Sequence, residues 1–281
     1  MGADNPDKSW RLDLSYDGTG THGWQSQPSG LGIQDILQKH LQTVLRHKVA
    51  LTGASRTDAG VHARQQVAVF RSPVAIEALP LQRSLHGLLP ETIAVHGIDQ
   101  VGESFHPILS ARAKIYRYLI WNDPVRNPFL RPFVWHFRGH LDRERIRREL
   151  QAIVGEHDFS AFCAVDSSAR TRVRHIHDVR LVEAGPLLEI WISGGGFLKQ
   201  MVRSIVGTLV DLGRGRPMSA PDMEAILKTR DRQKAGVTAP AAGLCLMGLF
   251  YDELPDLGSW IKDCAWQQRG LPGGTVPSRA P

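Results

Sequence analysis

The order of strand-like and helix-like segments runs through this chain twice, and that repeat limits the folds open to it. SWRLDLSYDG alternates apolar and polar residues and ends in a turn signal, the pattern of a half-buried strand. GIQDILQKHLQTVLRH carries Ile33, Ile36, Leu37, Leu41, Val44 and Leu45 at helical spacing. A short strand at KVALTGA, a turn at TDAG, a strand at QQVAVF, a helix over IEALPLQRSLHGLL and a strand over TIAVHGIDQV complete the first pass. The second pass begins with the strand KIYRYLIWN and the amphipathic helix RERIRRELQAIVG. It continues through a hairpin, RHIHDVRLVEAGPLLEIWISG, turning at Gly185-Pro186, to a long helix over FLKQMVRSIVGTLVDLG that Gly213 ends. The repeat predicts an α+β fold, with two similar α+β domains of antiparallel sheet flanked by helices and a central cleft between them. The expected boundaries are 1–107 and 108–255, followed by a partly flexible tail over 256–281 that ends in Gly, Pro and Ser.

Composition removes several function classes. No apolar run approaches the ~20 residues that span a bilayer. The opening MGADNPDKSW lacks the apolar centre of a signal peptide, and Pro6 stands where a myristoylated Gly2 would want Ser or Thr. A cytoplasmic protein is expected. Cys163, Cys245 and Cys264 are odd in number and far apart, so no disulfide framework or Cys-x-x-Cys pair exists. His175-x-His177 is the one tight histidine pair and has no Cys or acidic partner at ligand spacing, so no metal is expected. The 34 Lys+Arg outweigh 28 Asp+Glu, and most of the positives are arginine. Arginine's planar fork suits phosphate and so favours a polyanionic partner, although drift in genomic base composition would also inflate arginine.

Gly18, Gly20 and Gly23 in YDGTGTHGW spell G-x-G-x-x-G after a strand, the spacing of a dinucleotide-binding turn. That turn needs a helix opening within the glycines, so that its N-terminus faces the pyrophosphate. Here WQSQPSG intervenes and the helix starts near Gly32. It also needs an acid about 20 residues on to hold the ribose, and none lies between Asp35 and Asp58. Glycines that let another backbone or an RNA strand come close fit better.

LTGASRTDAGVHARQQVAVF is the sharper stretch. Arg56, Thr57 and Asp58 leave a strand and meet the turn Ala59-Gly60. Asp58 stands at a strand end, where side chains can face a cleft, and Arg56 shares its face in extended chain. A guanidinium there favours the ionised carboxylate; an Asp before Gly also commonly serves only its turn. Arg203 flanks an apolar stripe of Phe197, Leu198, Met201, Val202, Ile205, Val206, Leu209 and Val210. A half-buried Arg there either finds a carboxylate or snorkels to water. Tyr116, in an apolar strand, reads as core. Two basic runs stand out: Arg143, Arg145, Arg147 and Arg148 on one helix, and Arg170, Arg172 and Arg174, which a strand would present on one face. Each run suits RNA or a solvated face.

GASRTDAGVHA resembles the catalytic motif of the TruA family of tRNA pseudouridine synthases. SYDGTGTHGWQSQ, IYRYLI, HDFSAF, GGGFLKQMVRSIVGTLV and TAPAAGLCL resemble further family blocks in the same order, over roughly residues 9 to 253. The resemblance implies the pseudouridine synthase fold and isomerisation of uridines in the tRNA anticodon stem-loop by a homodimer, with no cofactor and no metal. It implies that Asp58 is the essential aspartate, that Tyr116 lies on the target base, that Arg203 crosses the cleft to pair with Asp58, and that Leu244 lines the pocket. Arg56 belongs with the substrate-binding group. Two departures touch RNA binding. FHPILSAR has Pro107 and Ile108 where the family has an arginine, so that hold on RNA is either missing here or moved to Arg112. Ser26 in GWQSQ replaces a common basic residue. The alternative to an active isomerase is a tRNA-binding module without chemistry; the intact trio of Asp58, Tyr116 and Arg203 argues against it.

Overall fold

The computed structural model describes residues 7–215 and 221–264. The first half gives β1 (Lys8–Tyr16), α1 (Ile33–Leu45), β2 (Leu51–Gly53), β3 (His62–Ser72), α2 (Ala78–Leu88) and β4 (Ile93–Val101). The second gives β5 (Ala113–Trp121), β6 (Trp135–His136), α3 (Arg143–Gln151), β7 (Gly155–Asp158), β8 (Val173–Ala184), β9 (Leu187–Gly194), α4 (Met201–Gly213), α5 (Met223–Thr229), β10 (Leu244–Phe250) and α6 (Leu257–Asp263). The observed mixture is α+β, with helices flanking a large, mainly antiparallel sheet.

The two halves share that sheet. Its order is β4-β1-β3-β10-β5-β9-β8-β7, with β2 on β3 and β6 on β5. The joint is β10, from late in the chain, which runs parallel to β3 through Cys245↔His62 and antiparallel to β5 through Leu246↔Tyr116. β3 opens where the Asp58 loop ends, and β5 carries Tyr116. Joining them by one strand fixes the two groups relative to each other.

Sequence patterning accounts for most elements. In α1 the buried residues Ile33, Leu37 and Leu41 recur every four positions, and Arg46 at φ 58 ends the helix. Asp142 caps α3 by accepting the Arg145 N–H. Apolar faces of α1 to α5 meet Leu12, Leu14, Tyr116, Tyr118 and Ile190 of the strands in one large core. Alternate residues Ile115, Trp191 and Met247 point to the opposite face, where Leu257, Ile261 and Cys264 cover them.

Within the partly flexible tail expected over 256–281, residues 256–264 are ordered: Asp256 caps α6 through the Ser259 N–H, and Leu257 and Ile261, one helical turn apart, pack down. The rest of the expected tail, 265–281, lies outside the described residues. The long helix begins at Met201 rather than Phe197, because the chain turns after Gly194–Gly196 and Gln200 takes the left-handed region at φ 61. β8 begins at Val173, so Arg170 and Arg172 precede the strand and the three arginines do not share a strand face.

Candidate active site

The loop between β2 and β3 is held from below. Gln66 accepts the Ser55 N–H and donates to the Ser55 carbonyl, at 3.2 and 2.6 Å. The Thr57 hydroxyl meets the Tyr16 hydroxyl at 2.8 Å. The Val61 N–H donates to the Asp58 carbonyl at 3.1 Å, and Gly60 at φ +78 closes that turn. The Asp58 backbone is thereby committed to a turn while its carboxylate faces the cleft.

The glycine-rich segment after β1 braces this loop. A Cβ on Gly18 would lie 2.1 Å from the Val61 carbonyl oxygen. One on Gly23, at φ +83, would lie 2.5 Å from the Thr57 carbonyl oxygen. Beside them, the Trp24 N–H donates to the Thr57 carbonyl at 3.0 Å, and the Gly18 N–H to His62 Nδ1 at 3.1 Å. Burial holds His62 below the ordinary imidazole range. These glycines admit the Asp58 loop, and the chain approaching them is this protein's own.

Arg203 arrives from α4, 145 positions away in sequence, and its Nη1 donates to Asp58 Oδ2 at 2.7 Å. Its Nε donates to the Ala239 carbonyl at 2.8 Å, while the Ala239 N–H returns a bond to the Arg203 carbonyl. Gly207 makes this possible, because a Cβ there would lie 1.7 Å from the Val237 carbonyl oxygen. The Arg203 and Asp58 side chains are 15% and 26% exposed, so the pair is neither dry nor fully screened. No other side chain among the described residues donates to Asp58, which leaves Oδ1 open to the cleft.

Tyr116 lies on β5 with only 5% of its surface exposed. Its hydroxyl meets the Ser55 hydroxyl at 2.9 Å, and its ring takes the Phe197 ring edge-on at 5.0 Å and 78°. Burial first, and the Asp58 charge to a smaller degree, push its pKa up to about 12 against the opposing Ser55 bond, so the phenol keeps its proton. Leu244, at the start of β10, is buried nearby. Asp58, Arg56, Tyr116, Arg203 and Leu244 all line one cleft of about 900 Å³. Arg56 is exposed on its wall and makes no ion pair with Asp58; the guanidinium on that carboxylate belongs to Arg203. Ile108 lines the same cleft, at the place where the sequence departs from the resembled pattern.

Three residues of the site are not singled out from the sequence. Ser55 is hidden beside Arg56, although it anchors the Tyr116 hydroxyl. Phe197 reads as helix stripe. Lys114 sits two residues before Tyr116, and the period-2 rule alone places it on the same face. The Arg143 run is taken up internally: Arg143 and Arg147 both pair with Glu183, at 2.9 and 2.5 Å, and Arg145 and Arg148 lie near Glu149. Among the described residues no three His, Cys, Asp or Glu side chains converge as metal ligands. No helix of the described residues is long and apolar enough to cross a membrane.

A family model described as tRNA pseudouridine synthase matches residues 150–252. The tRNA pseudouridine synthase A of Citrifermentans bemidjiense is 45% identical over 88% of this chain and 98% of its own length. Those of a Geobacter species and of Pelobacter propionicus are 44% and 46% identical, each over 86% of this chain and 98% of theirs. A chain of a solved Cbf5-Nop10-Gar1 complex is similar over 92% of this chain and 57% of its own, at 12% identity and a TM-score of 0.38, too low to carry an argument.

Proposed function

This chain belongs to the tRNA pseudouridine synthase A family, an isomerase family, and we propose that it converts uridines of the tRNA anticodon stem-loop at the Asp58 cleft. The carrying observation is the Asp58–Arg203 pair, joined at 2.7 Å across 145 residues inside a cleft that Tyr116 also lines.

The reaction keeps the composition of the nucleotide. The N1–C1′ bond breaks, the uracil turns, a C5–C1′ bond forms, the C5 proton leaves and N1 takes one up. The step asks of the protein one carboxylate, to attack covalently or to remove a sugar proton. Asp58 Oδ1 is free for either task, while Arg203 holds Oδ2 and fixes the plane of the carboxylate. A base inside a stem must first leave its stack, at a cost of a few kcal/mol. Stacking on Tyr116 returns ~1–3 kcal/mol of that. The Ser55 bond pins the hydroxyl, so the ring presents a fixed platform. Arg56, exposed on the wall, is placed to meet the strand left behind. Action as a homodimer belongs to this reading through the family resemblance, and action in the cytoplasm through the composition of the sequence.

The test is tritium release from anticodon-arm tRNA labelled at uracil C5, with pseudouridine mapped along the product. Release confined to the anticodon stem-loop is expected. Release from another arm would overturn the substrate assignment, and none would overturn the activity.

A further inference from the structure

The cleft holds a second buried cation that the chemistry above does not use. Lys114 lies on β5 facing the same side as Tyr116, and only 8% of its surface is exposed. Its Nζ donates to the Ala54 carbonyl at 2.8 Å, which uses one of three N–H groups. The cleft contains two carboxylates, and both are taken: Asp58 by Arg203, and Asp166 by Lys199 at 2.6 Å. Lys114 therefore has no counter-charge among the described residues. A buried ammonium in that state costs free energy unless an anion arrives.

A second cation stands beside it. Lys114, Gly194 and Ile176 form one cross-strand row over β5, β9 and β8, and Arg174 is two residues from Ile176 on the same face. Among the described residues the Arg174 guanidinium bonds to the carbonyls of Thr171 and Val173, at 2.9 and 2.6 Å, and pairs with no carboxylate. Burial chiefly, and Arg174 in addition, lower the Lys114 pKa to about 8. Arg56, Lys114, Lys199 and Arg203 against Asp58 and Asp166 give the cleft lining itself an excess of positive charge.

Resting on the proposed RNA substrate, we propose that Lys114 is a phosphate-binding residue inside the cleft, taking one phosphodiester of the strand that delivers the target nucleotide.

Affinity for an anticodon stem-loop RNA would be measured between 50 and 200 mM KCl for the wild type, Lys114→Met and Lys114→Arg. Removing one phosphate partner takes about 0.7 to 0.9 from the slope of log K against log salt. Lys114→Met is expected to lose that much, to bind roughly tenfold more weakly at low salt, and to raise KM more than it lowers kcat; Lys114→Arg is expected to keep the slope. A methylphosphonate replacing the contacted phosphate should weaken the wild type and leave Lys114→Met unchanged. Parallel salt curves for wild type and Lys114→Met would overturn the site, as would a loss confined to kcat, since that would mean Lys114 only props the Ala54 strand. If Lys114→Met does not fold, the methylphosphonate scan of the wild type decides: no sensitive phosphate within two nucleotides of the target rejects the site. Turnover of the wild type in the same preparations separates the two claims. An inactive wild type rejects the reaction, whereas an active one with parallel curves rejects only Lys114.

Discussion

Gly20 and Gly23 sit three residues apart at nearly the same backbone angle, φ +73 and +83, and differ in what surrounds them. Around Gly20 nothing lies within 4 Å of a built Cβ; around Gly23 the Thr57 carbonyl oxygen lies at 2.5 Å and the Asp58 carbonyl carbon at 2.8 Å. Alanine at either position takes on a left-handed backbone, which costs about 1–2 kcal/mol. For Gly20→Ala that is the whole effect. Gly23→Ala must also move the Asp58 loop by roughly 1 Å to restore ordinary contact. The Trp24 to Thr57 hydrogen bond, at 3.0 Å, transmits the shift. Misplacing a reacting group by about 1 Å can cost about 10²-fold in rate. Gly20→Ala should therefore keep its kcat/KM within about twofold, a fraction of a kcal/mol, while Gly23→Ala falls by about 10²-fold. Both should melt a few degrees below wild type. Tritium release under kcat/KM conditions, beside thermal melts, reads both quantities. Equal activity in the two variants would refute the idea that the glycine segment positions Asp58.

Other expectations follow from single interactions. Arg203→Lys keeps the charge but cannot reach Asp58 and the Ala239 carbonyl together, so kcat should drop by roughly 10-fold or more while tRNA binding persists; an unchanged kcat in single-turnover assays would reject the clamp. Tyr116→Phe keeps the ring and loses the Ser55 bond, costing about 1 kcal/mol of stability and little activity, whereas Tyr116→Ala should lose roughly 10- to 100-fold in kcat/KM with the stacking platform; equal kcat/KM for the two variants would show that the ring does not carry the function. Lys114 binds its proton less tightly in the folded protein, with a pKa lowered to about 8 from the ordinary lysine value of 10.5. Between those values the unfolded chain holds the extra proton, so this group's contribution to stability rises with pH. The stability of wild type minus that of Lys114→Met, from urea melts, should grow by about 2 kcal/mol between pH 7.5 and 9.5; a flat difference would contradict the burial of a charged amine.

How much of this is legible in the sequence differs from element to element. Helices α1 to α4 announce themselves by apolar spacing, because each buries one face against the sheet. β10 does not: Leu244–Phe250 is almost wholly buried, so LCLMGLF shows no alternation to mark it as a strand. α6 lies in a stretch whose downstream Gly and Pro content suggests a loose tail, although Leu257, Ile261 and Cys264 are spaced to cover Trp191. The glycines after β1 signal close approach but not what approaches, since the partner loop is more than 30 residues further along the chain. Asp58 and Arg203 have the same limit. Periodicity leaves Arg203 a choice between a carboxylate and water, only the family resemblance names Asp58 as the partner, and the fold brings the two together with Arg203 held on α4 against Ala239.

The central claim is that the Asp58 carboxylate performs the chemistry and does not merely hold its loop. Asp58→Asn keeps the side chain's size and an oxygen for Arg203 while removing the charge. The deciding measurement is tritium release by this variant from C5-labelled tRNA, paired with a filter-binding curve on the same preparation. The account predicts release indistinguishable from background with tRNA affinity within a few-fold of wild type, under about 1 kcal/mol. Turnover near the wild-type rate in a folded, tRNA-binding Asp58→Asn would contradict it.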